Sequence, residues 1–213
     1  MSCKIIFIRH GQSLGNLNDM FLGHTDLDLS PLGYSQAKCT ANYLKDIHID
    51  KVYSSDLIRA YNTCRAYLEV SNKTAERTER LREIFVGLWE GKNFETLKTV
   101  FKNSYSIWLN DIGHAKPDGG ETVVELQKRA VDFITEIAKE NDSKTVAVFT
   151  HATIIRAFFT FAYGKDISYM KDLKWATNAS VSSVEYSNGK FKVLEYSTDN
   201  FLNKLKTDVT TNV

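Results

Sequence analysis

A chain of 213 residues with 43% hydrophobic side chains is long enough to bury one substantial core. Its 27 basic and 26 acidic residues leave a net charge of +1, which gives no reason to expect a nucleic-acid-binding or membrane-binding surface. Cys3, Cys39 and Cys64 are odd in number and widely spaced, so free thiols are expected rather than disulfides or a metal cluster.

The start, Met1-Ser2-Cys3-Lys4 followed by four apolar residues, is too short for a signal peptide. No apolar run approaches the roughly 20 residues that span a bilayer. A cytoplasmic location is expected.

Taken in chain order, Ile5 to Ile8 form a short continuous apolar run, as expected of a strand buried on both faces, and the run stops at Arg9-His10-Gly11. Ser30-Pro31 reads as a helix cap with proline in the first turn, and the helix is predicted to end near Ile47. Lys51 to Ser54 is a second strand. A helix from about Asp56 to Leu68 follows, with Ser54 or Ser55 as its cap. Arg77 to Leu81 is a candidate third strand. From Glu83 to Pro117 the pattern is irregular and predicts short helices and loops.

Apolar residues return at helical spacing from Glu121 to Lys139. Thr145 to Phe149 is another apolar strand, ending at Thr150-His151, and a helix is predicted over Ile154 to Tyr163. Asn188-Gly189 between two alternating runs, Val181 to Tyr186 and Phe191 to Tyr196, signals a hairpin. The last dozen residues are polar and expected to fray. Repeats, low-complexity stretches and linkers are not evident.

Strands alternating with helices imply an α/β fold, a mostly parallel sheet with helices on both faces. In such sheets ligands bind beyond the carboxyl ends of the strands. Arg9-His10, Ser54-Ser55 with Arg59 one turn on, and Thr150-His151 all follow strands, so basic side chains from three segments are expected at one edge. Arginines suit phosphate oxygens, and a neutral imidazole can attack phosphorus and carry the phosphoryl group. Arg9, Arg59 and a protonated His151 would supply positive charge without magnesium. Glu83, between Leu81 and Ile84, is the leading candidate for the acid that protonates the leaving oxygen.

These residues carry a family resemblance. Arg9-His10-Gly11-Gln12-Ser13-Leu14-Gly15-Asn16, Ser54-Ser55-Asp56-Leu57-Ile58-Arg59-Ala60, Leu81-Arg82-Glu83, Gly119-Gly120-Glu121-Thr122 and His151 together resemble the histidine phosphatase superfamily, the phosphoglycerate mutase-like group, over residues 4 to 165. The resemblance implies a three-layer α/β/α sandwich. With no linker evident, a single domain over residues 1–202 is expected, with the polar end forming a tail at 203–213. The resemblance also implies that His10 is the nucleophile and Glu83 the proton donor. Arg9, Arg59 and His151 would form the phosphate pocket, with Asn16 helping to hold the phosphate. No cofactor and no metal are implied. Two departures stand out. Gln12 replaces a frequent Glu, and Thr150-His151-Ala152 replaces Ser-His-Gly, so the backbone N–H of Ala152 is kept while its φ is restricted.

Mutases of the group carry Glu-Arg-His-Tyr-Gly where this chain has Glu83-Ile84-Phe85-Val86-Gly87. The apolar replacements cannot hold a second charged group, and Leu88-Trp89-Glu90-Gly91 resembles the phosphatase branch. The expected function is therefore hydrolysis of a small phosphorylated metabolite. A mutase-type isomerase and a non-catalytic phospho-ligand-binding protein are the alternatives. Phe21, Phe85, Trp89 and Trp108 would line the pocket or else belong to the core. His24, His48 and His114 are expected as ordinary loop or surface residues, and Arg129 as a partner in structural ion pairs. The oligomeric state and the substrate stay open.

Overall fold

The computed structural model describes residues 2–207. Six strands form one sheet: β1 (Ser2–Arg9), β2 (Lys51–Ser55), β3 (Glu76–Thr78), β4 (Thr145–Thr150), β5 (Val181–Ser187) and β6 (Lys190–Thr198), in the spatial order β3-β2-β4-β1-β5-β6. The first four are mutually parallel; β5 pairs antiparallel with β1, and β6 pairs antiparallel with β5. Seven α-helices accompany it among the described residues: α1 (Leu14–Leu17), α2 (Pro31–Leu44), α3 (Ile58–Ser71), α4 (Phe94–Val100), α5 (Lys102–Asn110), α6 (Val123–Glu140) and α7 (Ala152–Ala162). Among the described residues, no helix is long and apolar enough to cross a membrane.

The unbroken apolar run of β1 is explained by its central place. Ile5 and Phe7 pack on one face with Ile134 of α6 and Phe158 of α7. Ile6 and Ile8 pack on the other with Leu44 of α2 and Tyr67 of α3. Full burial of such side chains stabilises the fold by about 1.5–3 kcal/mol each, so β1 and β4, buried on both faces, are the firmest supports available to a site. The edge strand β6 is only half buried and carries no such load.

Several element boundaries differ from the sequence reading; β1 starts at Ser2 and α2 stops at Leu44, three residues short of Ile47. The third strand is Glu76–Thr78, and Glu79–Leu81 turns instead into a single 3-10 turn capped by the Thr78 hydroxyl. Helix α3 begins at Ile58 with Leu57 at its N-cap; its first N–H, on Ile58, is accepted by Asp26 Oδ1 at 2.6 Å rather than by a serine, and the Ser54 hydroxyl donates to the Ser55 carbonyl. Helix α7 begins two residues earlier than expected, directly after His151.

The chain does not leave the body after β6. Asn200–Leu205 winds in short 3-10 turns against α2, Leu202 is buried, and buried Gln36 donates to the Leu205 carbonyl at 2.8 Å. Of the expected polar tail, residues 208–213 lie outside the described residues.

Candidate active site

Arg9 and Thr150 are paired in register on adjacent parallel strands, so the residues that follow them, His10 and His151, leave the sheet side by side. Their rings stand 5.2 Å apart at 62°. The His10 N–H bonds to the Thr150 carbonyl, and its own carbonyl accepts from Ala179. The His10 Nδ1 lies 2.7 Å from the Gly11 carbonyl oxygen. A carbonyl only accepts, so the proton resides on Nδ1 and the Nε2 lone pair is free.

The loop after His10 is clamped on two sides. Thr63 on α3 accepts the Gly11 N–H at 3.0 Å. The start of α2 presses so closely that a Cβ on Gly33 would lie 2.0 Å from the Gln12 carbonyl oxygen. Gln36 closes the contact by accepting the Gln12 N–H at 2.7 Å.

Arg59, in the first turn of α3, is buried. Its guanidinium donates to the carbonyls of Thr25 at 2.9 Å and Gly23 at 2.8 Å. Arg9 donates to the Ala176 carbonyl at 2.6 Å, while its Nε is buried with no protein partner. His151 is fully buried. Its Nε2 lies 2.9 Å from the Ser55 hydroxyl, and its Nδ1 is unpartnered.

Glu83 has less apolar surroundings than its sequence neighbours suggest. Its two carboxylate oxygens accept the N–H of Ile84 at 2.9 Å and the N–H of Thr153, in the first turn of α7, at 3.0 Å. Its segment is tied down by Thr150, whose hydroxyl donates to the Leu81 carbonyl. Arg129 adds bonds to the carbonyls of Arg80, Arg82 and Glu83 while pairing with Glu121. The expectation for Arg129 is thus met by the Glu121 pair and exceeded by the carbonyl contacts.

Asn16 completes a capping box with Ser13, and its Oδ1 also accepts from Asn178. Both acceptor directions being used, its Nδ2 donors are free to face the cleft. Ala152 is the first residue of α7, is absent from the positive-φ residues, and has a first-turn N–H with no helical partner.

Arg9, His10, Asn16, Arg59, Glu83 and Ala152 line one cleft, and His151 adjoins it with its ring against that of His10. Burial pulls both guanidinium groups down to about 10, while Glu83 opposes the shift; both stay charged at neutral pH. Burial, reinforced by the two arginines, holds both imidazoles well below the usual histidine range. The protein's own field therefore favours neutral His10. It also favours neutral His151, not the protonated form expected from the sequence.

The outer wall consists of Met20, Phe21, Leu22 and Phe94, with Asp19 at the mouth. Of the four aromatics considered from sequence, Phe21 lines this cleft. Trp89 and Trp108 are core, and half-exposed Phe85 packs at a tilt against His24 outside it. Ile84 and Val86 are fully buried. The apolar replacements at 84–86 consequently do not form the cleft wall, contrary to the reasoning from sequence. His48 and His114 sit at the surface beside Asp50 and Asp111. His24 is not an idle loop residue: its Nε2 donates to the Glu83 carbonyl at 3.1 Å.

Sequence reasoning missed Asn178, which donates to the His10 carbonyl and to Asn16, and Thr207, which donates to Asn178 at the cleft. An antiparallel strand beside β1 must begin where β1 ends, so the loop before the predicted hairpin was the available signal for Asn178.

A strand-end imidazole with a free Nε2, two buried arginines and a carboxylate in one cleft define a site for handling phosphoryl groups. The model of the histidine phosphatase superfamily (branch 1) matches residues 5–199, and the chain belongs to that family. It is a phosphatase of the family, and its relatives agree with this class. Phosphoserine phosphatase 1 of Hydrogenobacter thermophilus is 32% identical over 165 residues, 78% of each chain. The crystal structure of an Entamoeba histolytica phosphoserine phosphatase bound to 3-phosphoglyceric acid superimposes with a TM-score of 0.84 at 25% identity, covering 94% of this chain and 99% of the other. A Bacillus stearothermophilus protein shares the fold with a TM-score of 0.91 at 21% identity, over 94% and 100% of the two chains.

Proposed function

We propose that this protein is a metal-independent phosphomonoester hydrolase for a small phosphorylated metabolite, acting through a phosphohistidine at His10 with Glu83 as proton donor. The observation that carries the reading is the bond from His10 Nδ1 to the Gly11 carbonyl, which frees Nε2 within a cleft bearing Arg9 and Arg59.

In the first step the Nε2 lone pair forms a bond to phosphorus as the ester P–O bond breaks. The Glu83 carboxyl gives its proton to the departing alkoxide. In the second step the Glu83 carboxylate takes a proton from water, whose oxygen attacks phosphorus. The P–N bond breaks, and neutral His10 and inorganic phosphate result. Arg9 and Arg59 stabilise the equatorial oxygens with charge and bidentate donors. Asn16 and the Ala152 N–H add neutral donors. A phosphate dianion beside His151 favours its protonation, and the unpartnered Nδ1 would then donate to the anion.

The test is hydrolysis of para-nitrophenyl phosphate in the presence of EDTA by the wild type and by His10→Ala. Turnover in the wild type and its loss in the variant are expected, with acid-labile phosphate on His10 after rapid quenching. Label on serine or aspartate would overturn the mechanism, and a folded protein that binds phosphate without turnover would favour a binding role.

A further inference from the structure

Glu90 entered the sequence reading only as part of the Leu88-Trp89-Glu90-Gly91 run. In the fold its carboxylate has a defined set of partners. One oxygen accepts the backbone N–H of His24 at 2.7 Å; the other accepts those of Thr25 at 2.9 Å and Gly23 at 3.2 Å, together with the Thr25 hydroxyl. Four donors from three consecutive residues converge on one carboxylate.

The carbonyls of the same segment turn the other way. Gly23 and Thr25 present theirs to Arg59, and these are the guanidinium's hydrogen-bond acceptors among the described residues. Residues 23–25 thus lie between an anion and a cation, with N–H groups toward Glu90 and C=O groups toward Arg59. The segment belongs to no helix or strand whose ladder would fix it. Close approach is required as well, since a Cβ on Gly23 would lie 2.4 Å from the Ile84 carbonyl oxygen and 2.5 Å from Glu90 Oε1.

We propose that Glu90 is a positioning residue for the phosphate clamp: it fixes the 23–25 segment, and that segment aims Arg59. The proposal rests on the reading of the cleft as a phosphate site. All the partners of Glu90 are donors, so a glutamine, which turns two N–H groups into the same space, cannot replace it. An arginine whose acceptors are released keeps its charge and loses its aim.

The experiment is a double-mutant cycle on the full chain with Glu90→Gln, Arg59→Ala and the pair. It reads kcat/KM with para-nitrophenyl phosphate, the affinity for inorganic phosphate by calorimetry, and Tm. Misaiming is expected to lower kcat/KM and phosphate affinity about tenfold in Glu90→Gln. With Arg59 already removed, the same change is expected to cost less than about twofold, because the two act as a unit. Equal losses in both backgrounds, or unaltered phosphate affinity in a Glu90→Gln protein of lowered Tm, would overturn the proposal. Thr25→Val removes a single donor and serves if Glu90→Gln fails to fold. It should give a smaller loss with the same dependence on Arg59, and an equal loss with and without Arg59 would count against the coupling. Calorimetry keeps the two readings apart: a wild type that binds phosphate without turnover refutes the hydrolase reading and still permits the cycle to be run on binding.

Discussion

His10 and His151 stand ring to ring, 5.2 Å apart, at the ends of two neighbouring parallel strands. Both are buried beside Arg9 and Arg59, so both resist taking up a proton. This has a consequence for stability. In the unfolded chain a histidine titrates near 6.5. Below that pH the unfolded state binds protons that the folded state refuses, and stability falls as pH falls.

The loss can reach about 1.4 kcal/mol per pH unit for each imidazole below roughly pH 6.5. We expect the Tm to drop between pH 7 and pH 5, and less steeply in His151→Gln. Inorganic phosphate should reverse part of the drop. A Tm that is flat across this range would contradict the burial of neutral imidazoles.

Arg129 holds the Glu83 segment through three carbonyls without entering the cleft lining. Arg129→Met should therefore displace the proton donor while sparing phosphate binding. We expect kcat to fall roughly tenfold or more for alkyl phosphates. The fall should be much smaller for para-nitrophenyl phosphate, whose leaving group needs little protonation, and KM should be nearly constant. Equal effects on both substrates would assign Arg129 a purely structural part.

Gly33 faces the Gln12 carbonyl at a distance that admits no side chain. Both sides of this contact are backbone, so relief requires the loop after His10 or α2 to move. Gly33→Ala is expected to cost about 2 kcal/mol, in the range of overpacked cores. That corresponds to roughly 4–8 °C in Tm, with loss of activity beyond what stability explains. Unfolding and kinetics on the purified variant provide the check.

We expect the outer cleft to sort substrates by charge. Its wall is Met20, Phe21, Leu22 and Phe94, and the residue at its mouth, Asp19, is acidic. A leaving group bearing a carboxylate meets that charge. Glycerol 1-phosphate should be preferred over 3-phosphoglycerate, and Asp19→Lys should narrow the ratio several-fold, as expected for one charge at a few ångströms in a partly solvated site. Preference for 3-phosphoglycerate by the wild type would remove Asp19 from this role.

Much of this site was legible because its parts are local. An apolar run ending in Arg9-His10 announces both a central strand and what lies at its end, and Ser30-Pro31 marks α2 to the residue. What was not legible depends on long-range contacts. The setting of Glu83 is made by the N–H of Thr153, 70 positions away, and no local pattern specifies it. The same holds for Ile84 and Val86. Their apolar character was read as a statement about substrate, whereas it reflects packing into the core. Ser54 and Ser55 have the chemistry of helix caps, yet the fold directs Ser55 to His151 and gives the first N–H of α3 to the distant Asp26.

The strip that follows β6 reaches the cleft at Thr207, whereas Ser2 stands at the opposite end of β1, about 26 Å from His10 at roughly 3.3 Å per strand residue. Anything joined beyond Thr207 begins within reach of incoming substrate. Immobilisation or fusion on the Ser2 side leaves the entrance clear, and tethers at the two positions should give measurably different accessibility for the same catalyst.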